Sequence, residues 1–242
     1  MSALAVNGLY RAFGGLTAVN NISFAIESDE ILGLMGANGA GKTTLFNLIS
    51  GAMKPNAGTI TFAGRSIVGM RPDRICRLGV GRTYQLVKPF VNMTVLENVM
   101  VGVLYGAETE RSCERARAVA QGLIDDLGLA QNAHQLAAEL TLAGRKRLEI
   151  ARALATAPKL LMLDEVLAGL VPTEVTDALA ILKDLHRRRG LAMLVIEHNM
   201  RALMELCDRI VVMHHGEKIA EGTPAEVTRN ARVIDAYLGT KA

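Results

Sequence analysis

Apolar residues recur along this chain with two periods. The runs Ala3–Tyr10 and Ala18–Ile26 are rich in β-formers, and Ile31–Met35 is continuously apolar, as a strand buried on both faces would be. Gly36–Gly41 is a glycine-rich loop, after which Leu45, Leu48 and Ile49 take helical spacing within Lys42–Ser50. Gly51 and Pro55 end that helix, and Gly58–Phe62 starts a short strand. Residues 87–157 contain almost no β-rich run but several amphipathic segments, Val95–Leu104, Glu110–Leu127 and Gly144–Ala157, and predict a helical insert. Pro158 breaks the helical pattern, and Lys159–Leu163 predicts a buried strand. A helix over Thr173–Arg189 follows, with Val175, Ala178, Leu179, Leu182 and Leu185 on one face, and then a strand at Leu191–Ile196. Apolar strands alternating with helices predict an α/β core with a mostly parallel sheet.

Composition changes that picture in one respect. The chain has 242 residues, enough for a substantial core without disulfides, and half of them are hydrophobic. Mean hydropathy is positive at +0.24. The longest apolar stretches are nonetheless short, such as Leu160–Leu163 and Leu191–Ile196, whereas a spanning helix needs about 20 apolar residues. The apolar surplus therefore belongs in a core or in an interface with other subunits. A net charge of +3 is too small to imply nucleic acid, and the run Arg187–Arg189 falls where a helix ends before Gly190, as the helix dipole favours. Cys76, Cys113 and Cys207 are odd in number and lack CxxC spacing, so free thiols in a reducing compartment are expected. The first residues show no secretory pattern.

The chemistry concentrates in two places. Gly36-Ala37-Asn38-Gly39-Ala40-Gly41-Lys42-Thr43 fits GxxxxGK[ST] between a predicted buried strand and a helix, the context of a P-loop. Glycines there let backbone N–H groups converge on phosphate oxygens, and the helix points its positive end at the same anion. Gly36, Asn38, Gly39, Ala40, Gly41, Lys42, Thr43 and Thr44 are the candidate nucleotide-binding residues. Lys42 would reach the β- and γ-phosphates of ATP, and the Thr43 hydroxyl would ligate Mg²⁺. The second place is Leu160-Leu161-Met162-Leu163-Asp164-Glu165, a buried strand delivering two acids at its C-terminal end, where ligands of open α/β sheets collect. Asp164 is the candidate for the Mg²⁺ shell. Glu165 is placed to polarise a water for in-line attack on the γ-phosphate.

With these motifs in place, the sequence resembles the ATP-binding subunits of ABC transporters over essentially its whole length, and more narrowly the ATPases of branched-chain amino-acid uptake. The closer match is carried by Gly81-Arg82-Thr83-Tyr84-Gln85, Arg147-Leu148-Glu149-Ile150-Ala151-Arg152-Ala153-Leu154, Val195-Ile196-Glu197-His198-Asn199-Met200, Cys207-Asp208-Arg209-Ile210-Val211-Val212 and Ile219-Ala220-Glu221-Gly222-Thr223-Pro224. The resemblance implies a P-loop NTPase (RecA-like) α/β core with a mostly parallel sheet, an N-terminal antiparallel β subdomain and an inserted helical subdomain. Residues 1–242 would form a single ABC ATPase domain, with 1–86 and 158–242 as the nucleotide-binding core and 87–157 as the helical subdomain. By the same resemblance Phe13 stacks on adenine, Gln85 approaches Mg²⁺ and the attacking water, and His198 contacts the γ-phosphate. Spacing supports His198 independently, because it lies just past the strand Leu191–Ile196, at the edge where Asp164 and Glu165 would emerge.

Departures from the family pattern are equally specific. Its signature segment, usually a Leu-Ser-Gly-Gly-Gln-like loop, falls on Leu140-Thr141-Leu142-Ala143-Gly144, with Ala143 where a glycine is usual. Thr141 keeps a hydroxyl and a helix beginning near Gly144 keeps the dipole, so both remain candidates for contacting nucleotide on a second subunit. Val166 stands in place of the proline common after the glutamate, and Val171 in place of an Asp or Asn. The segment Val87–Val103, with Pro89, Phe90, Val91, Met93 and Val95, reads either as hydrophobic core of the helical insert or, by resemblance, as the place where a permease helix docks. The resemblance thus implies a second ATP-binding subunit, identical or not, transmembrane permease subunits and, indirectly, an extracytoplasmic solute-binding protein. It implies a peripheral place on the cytoplasmic face of the inner membrane and no nucleic-acid partner. Two alternatives stay open: the ATPase of a lipid or lipopolysaccharide exporter, and a soluble ABC ATPase with no permease. No Asn-Lys-x-Asp motif for guanine is present.

Overall fold

The computed structural model of the chain describes residues 2–84 and 88–238. In chain order the elements are β1 (Ser2–Phe13), β2 (Leu16–Glu27), β3 (Ile31–Gly36), α1 (Lys42–Ile49), β4 (Ala57–Phe62), β5 (Arg65–Ser66), α2 (Pro72–Leu78) and β6 (Val80–Arg82). There follow α3 (Val95–Tyr105), α4 (Cys113–Asp126), α5 (Leu142–Leu154), β7 (Leu160–Asp164), α6 (Pro172–Arg189) and β8 (Ala192–Ile196). The chain then runs through α7 (Met200–Leu206), β9 (Arg209–His214), β10 (Glu217–Gly222), α8 (Pro224–Arg229) and α9 (Ala231–Leu238). It divides into two compact units, Met1–Pro72 with Ala192–Ala242, and Asp73–Leu191.

In the first unit β1 and β2 form a long antiparallel ladder with Ala5 opposite Ala25 and Val6 opposite Phe24, and β4 pairs on the other side of β1 with Ile60 opposite Val6. The sheet order is β2-β1-β4-β5. Alternation drives this arrangement: Leu4, Val6 and Leu9 of β1 and Val19, Ile22, Phe24 and Ile26 of β2 are buried while their neighbours are more exposed. Both strands run past the apolar segments at Tyr10 and Ala18, because the ladder continues through Ala12 opposite Thr17 to Phe13 opposite Leu16. All six residues of β3 are buried, and it lies parallel between β8, with Leu32 opposite Leu194, and β9, with Leu34 opposite Val211. β10 completes this part antiparallel to β9. Two-sided burial explains why β3, β8 and β9 are near-continuous Leu, Ile, Val and Met.

The second unit holds the expected helices. The capping box of Thr94 and Glu97 starts α3, Ser112 caps α4, and Asn98 is buried with its amide nitrogen donating to the Phe90, Met93 and Thr94 carbonyls. Val95, Val99, Ala116, Ala120, Ile124, Leu148 and Ala151 supply the shared core of α3, α4 and α5. The strand at the end of α5 is parallel to β6, with Gly81 opposite Leu161, and all of β7 is buried. α6 opens on Pro172 and ends at Gly190 in the left-handed conformation, φ 57°. The arginine run at its C-terminus does more than complement a dipole. Arg188 and Arg189 each place a guanidinium nitrogen 2.9 Å from Asp126, the last residue of α4. They hold its carboxyl below the usual carboxylate range against the opposing effect of burial. Among the described residues no helix is long and apolar enough to cross a membrane.

Candidate nucleotide-binding and catalytic site

The P-loop joins β3 to α1 in the first unit. Buried Leu32, Leu34 and Met35 fix the end of β3, so the chain must turn at Gly36 and re-enter as a helix at Lys42. Two glycines are needed by geometry. Gly41 has φ +98°, and a Cβ there would come 2.2 Å from the Ala18 carbonyl oxygen. Gly39 has φ +81° and no atom within 4 Å of a would-be Cβ, so its backbone faces open space on an exposed loop. Lys42 is buried, and its Nζ donates to the Gly36 carbonyl at 2.6 Å and to that of Ala37 at 3.1 Å. No side chain caps α1 and its first turn carries no acidic residue, so its positive dipole end is not offset by a side-chain carboxylate and suits an anion. Ala40 is buried, Asn38 and Thr43 are exposed and Thr44 is half-buried.

The same unit places His198 beside this loop. It is exposed in the turn between β8 and α7, where Asn199 caps the helix by accepting from the Ala202 N–H. A cavity of about 170 Å³ is lined by Gly36, Ala37 and Asn38 together with Glu197, His198 and Tyr237. Burial pushes the Tyr237 phenol up to about 12. Phe13 ends β1, is 42% exposed, and carries the Arg11 guanidinium 4.7 Å from its ring centre. One face of its ring thus lies under a cation, and the residue remains partly exposed.

The acids lie in the second unit. β7 delivers Asp164, 1% exposed, and Glu165 follows it at 8%. Thr83 fixes the strand end: its N–H donates to the Met162 carbonyl, and its hydroxyl accepts from the Asp164 N–H at 2.9 Å. Arg82 contacts Asp164 Oδ2 at 3.1 Å, and its guanidinium lies 4.9 Å from the Tyr84 ring centre. The other oxygen, Oδ1, is buried with no hydrogen-bond partner among the described residues. Burial raises the Asp164 carboxyl above the usual range and Arg82 opposes it. Glu165 takes φ +52°, the left-handed region that a non-glycine residue enters only when held there. Its carbonyl accepts from the buried Lys146 Nζ at 2.9 Å.

The signature-like segment begins α5 two residues earlier than expected, at Leu142 instead of near Gly144. Thr141 is the N-cap, its hydroxyl accepting from the Gly144 N–H at 3.2 Å, so Ala143 and Gly144 belong to the first helical turn. Leu142 is half exposed. Gln85 lies outside the described residues.

Several contributors escape a motif reading. Arg82, Thr83 and Glu149 sit inside the quoted family segments, yet nothing in a linear pattern says that Arg82 and Thr83 hold Asp164, or that Glu149 accepts the Tyr84 N–H at 2.5 Å. Lys146 carried no signal beyond being a lysine in an amphipathic helix.

Glu149 yields a pH prediction. Burial raises its carboxyl, outweighing the Tyr84 N–H, Lys146 and Arg152, with Asp164 adding to the rise. A raised folded-state pKa means that ionisation opposes folding above it, and that this penalty is gone once pH falls below the unfolded value of about 4.5. Glu149→Gln is therefore expected to melt higher than the parent at pH 7, with the difference shrinking as pH falls toward 4.5. Melting midpoints of both proteins between pH 4.5 and 8 check this, and a gap that widens on acidification refutes it.

A glycine-rich anion loop on a buried parallel strand, with a buried strand ending in Asp-Glu, defines a P-loop nucleotide-binding protein. Residues 19–168 match the ABC transporter family, and residues 217–242 match the family of branched-chain amino acid ATP-binding cassette transporters. The chain belongs to the ABC transporter ATP-binding family, and it is an ATPase. It is 42% identical to the high-affinity branched-chain amino acid transport ATP-binding protein LivG of Salmonella typhimurium, covering 98% of this chain and 97% of that protein. It is 35% identical to the lipopolysaccharide export system ATP-binding protein LptB of Haemophilus influenzae, covering 99% and 98%. The fold is that of a crystallised ATP-binding cassette of an ABC transporter in its ADP conformation, with a TM-score of 0.89 at 29% identity over 99% of each chain.

Proposed function

We propose that this chain is the ATP-hydrolysing subunit of an importer for branched-chain amino acids or related small polar solutes. It would work as one cassette with a helical subdomain, on the cytoplasmic face of the inner membrane. Two ATP-binding subunits, identical or paralogous, would close on two ATP molecules and move a pair of permease subunits, with solute delivered by an extracytoplasmic binding protein. The observation that carries the solute class is the match of residues 217–242 to the branched-chain family, added to the identity with LivG.

The chain's own residues divide the chemistry as follows. Lys42 and the N–H groups of Gly39, Gly41 and the first turn of α1 bind the phosphates, and Asn38, Ala40 and Thr44 shape that cradle. Phe13 stacks on the adenine through the ring face that Arg11 does not cover. Glu165 orients and polarises the attacking water, and His198 and Gln85 contact the γ-phosphate and the water. Thr141 and Gly144 act on the nucleotide of the other subunit through the start of α5. The donor chemistry suits Mg²⁺: the orphaned Oδ1 of Asp164 would hold such a hard cation, with the Thr43 hydroxyl and the Gln85 side-chain oxygen as the further oxygen donors the family resemblance implies. When bound it would neutralise charge developing on the β- and γ-oxygens. The exposed aromatics Tyr84 and Phe90, with Val91, suit docking of a permease helix.

A second reading, the ATPase of a lipopolysaccharide exporter, draws on the LptB identity. Reconstitution separates the two. Proteoliposomes holding the chain with the permease encoded beside it, and the cognate binding protein, are expected to accumulate labelled leucine, isoleucine or valine only with ATP inside the cytoplasmic compartment. ATP-driven extraction of lipopolysaccharide without amino-acid uptake would overturn the importer reading.

A further inference from the structure

The catalytic carboxylate sits on a backbone conformation that its own side chain does not favour. Glu165 is left-handed at φ +52°, directly after a strand whose five residues are all buried. The described contact that meets its carbonyl comes from α5: Lys146 Nζ donates at 2.9 Å. Lys146 is 6% exposed, so its ammonium has been removed from water, a cost that an apolar side chain of similar shape would avoid. What an apolar side chain cannot do is donate a charge-assisted hydrogen bond to that carbonyl.

Three residues further along the same face of α5 stands Glu149. It is also buried, and its Oε1 accepts from the backbone N–H of Tyr84, the residue preceding Gln85 in sequence. One helix thus holds two backbone points, the catalytic glutamate and the start of the Gln85 segment. Thr141 is the N-cap of the helix, its hydroxyl accepting from the Gly144 N–H, and Lys146 lies about 7.5 Å along the axis from it. A rotation or shift of the first turn would therefore move both donor and acceptor groups together.

We infer that Lys146 is a positioning residue for hydrolysis: its bond to the Glu165 carbonyl holds the left-handed backbone that aims the carboxylate. With Glu149, it makes α5 the element that reports engagement of the signature-like segment to the catalytic residues. The inference rests on the reading of Glu165 as the residue that polarises water. It also accounts for a charge buried in the second unit that nucleotide binding does not require.

The test uses the full transporter complex, with phosphate release measured against ATP concentration for the parent, Lys146→Met, Lys146→Arg and Glu165→Gln. Lys146→Met keeps length and volume but cannot donate, and is expected to lower kcat by about 10²-fold, the usual effect of a misaimed catalytic group. KM for ATP and the melting midpoint should stay near parental. Lys146→Arg, which can still donate to the carbonyl, should restore most of the turnover. If Lys146→Met does not accumulate as folded protein, Lys146→Gln, polar but too short to make the same bond, is read in its place. Parental kcat in the variant without a donor, equal loss in the Met and Arg variants, or a loss confined to KM each overturns the inference. Glu165→Gln separates the two levels: if it is inactive while Lys146→Met is fully active, only the role of Lys146 fails. If Glu165→Gln turns over normally, the reading of Glu165 itself fails.

Discussion

Replacing Glu165 with glutamine is expected to reduce ATP turnover by about 10²–10⁴-fold, the span that general base assistance supplies, while Mg-ATP still binds. Glutamine has nearly the same volume and can occupy the same left-handed backbone, so the buried environment is kept. It lacks the negative charge that, in the proposed mechanism, pulls a proton from the attacking water. Lys42, Thr43 and Asp164 are untouched, which is why affinity for nucleotide should survive. In the proposed cycle hydrolysis is what reopens the closed pair of subunits, so the variant should accumulate as an ATP-loaded dimer. Phosphate release and light scattering with and without Mg-ATP read both effects. Normal hydrolysis by a protein that remains monomeric in Mg-ATP would remove Glu165 as the base and the nucleotide-closed dimer together.

The sequence made the strands and the loop legible because both are written in local terms. β3, β7 and β8 are near-unbroken apolar runs, which two-sided burial demands, and the P-loop combines a helix start with glycines whose positive φ disfavours a side chain, as at Gly39, or whose Cβ would also collide with backbone, as at Gly41. Adjacent acids at the end of an apolar strand are similarly local. Contacts joining residues distant in sequence were not legible. Arg82 and Asp164 are 82 positions apart, Tyr84 and Glu149 are 65 apart, and no periodicity links either pair. The start of α5 was misplaced for a related reason. Leu142 and Ala143 look like a loop when compared with a glycine-rich family segment, yet both are good helix formers, and Thr141 offers the capping hydroxyl that lets the helix begin there. The apolar surplus also divides in a way composition alone left open: most of it is in the buried strands and in the helical core, while Tyr84, Phe90, Val91 and Leu142 remain exposed.

Asp164→Ala is expected to abolish turnover and also to destabilise the fold, and the two losses have different origins. The first follows from removing Oδ1, the buried unpartnered oxygen proposed to hold Mg²⁺. The second follows from Arg82, whose side chain is 7% exposed and which loses the carboxylate at 3.1 Å. Breaking a buried ion pair by deleting one partner costs about 3–5 kcal/mol, mostly because the remaining charge stays desolvated. Burial raises Asp164 above the ordinary carboxylate range despite Arg82, so the pair itself adds little net stability over neutral side chains. Pairing Asp164→Ala with Arg82→Met should therefore recover most of the lost stability and none of the activity. Asp164→Asn should fall between them, because its amide oxygen can still accept from Arg82 while its charge is gone. Denaturant midpoints of the four proteins, set beside their phosphate-release rates, decide the matter. A double variant no more stable than Asp164→Ala would mean that the carboxylate supports β7 through contacts other than Arg82.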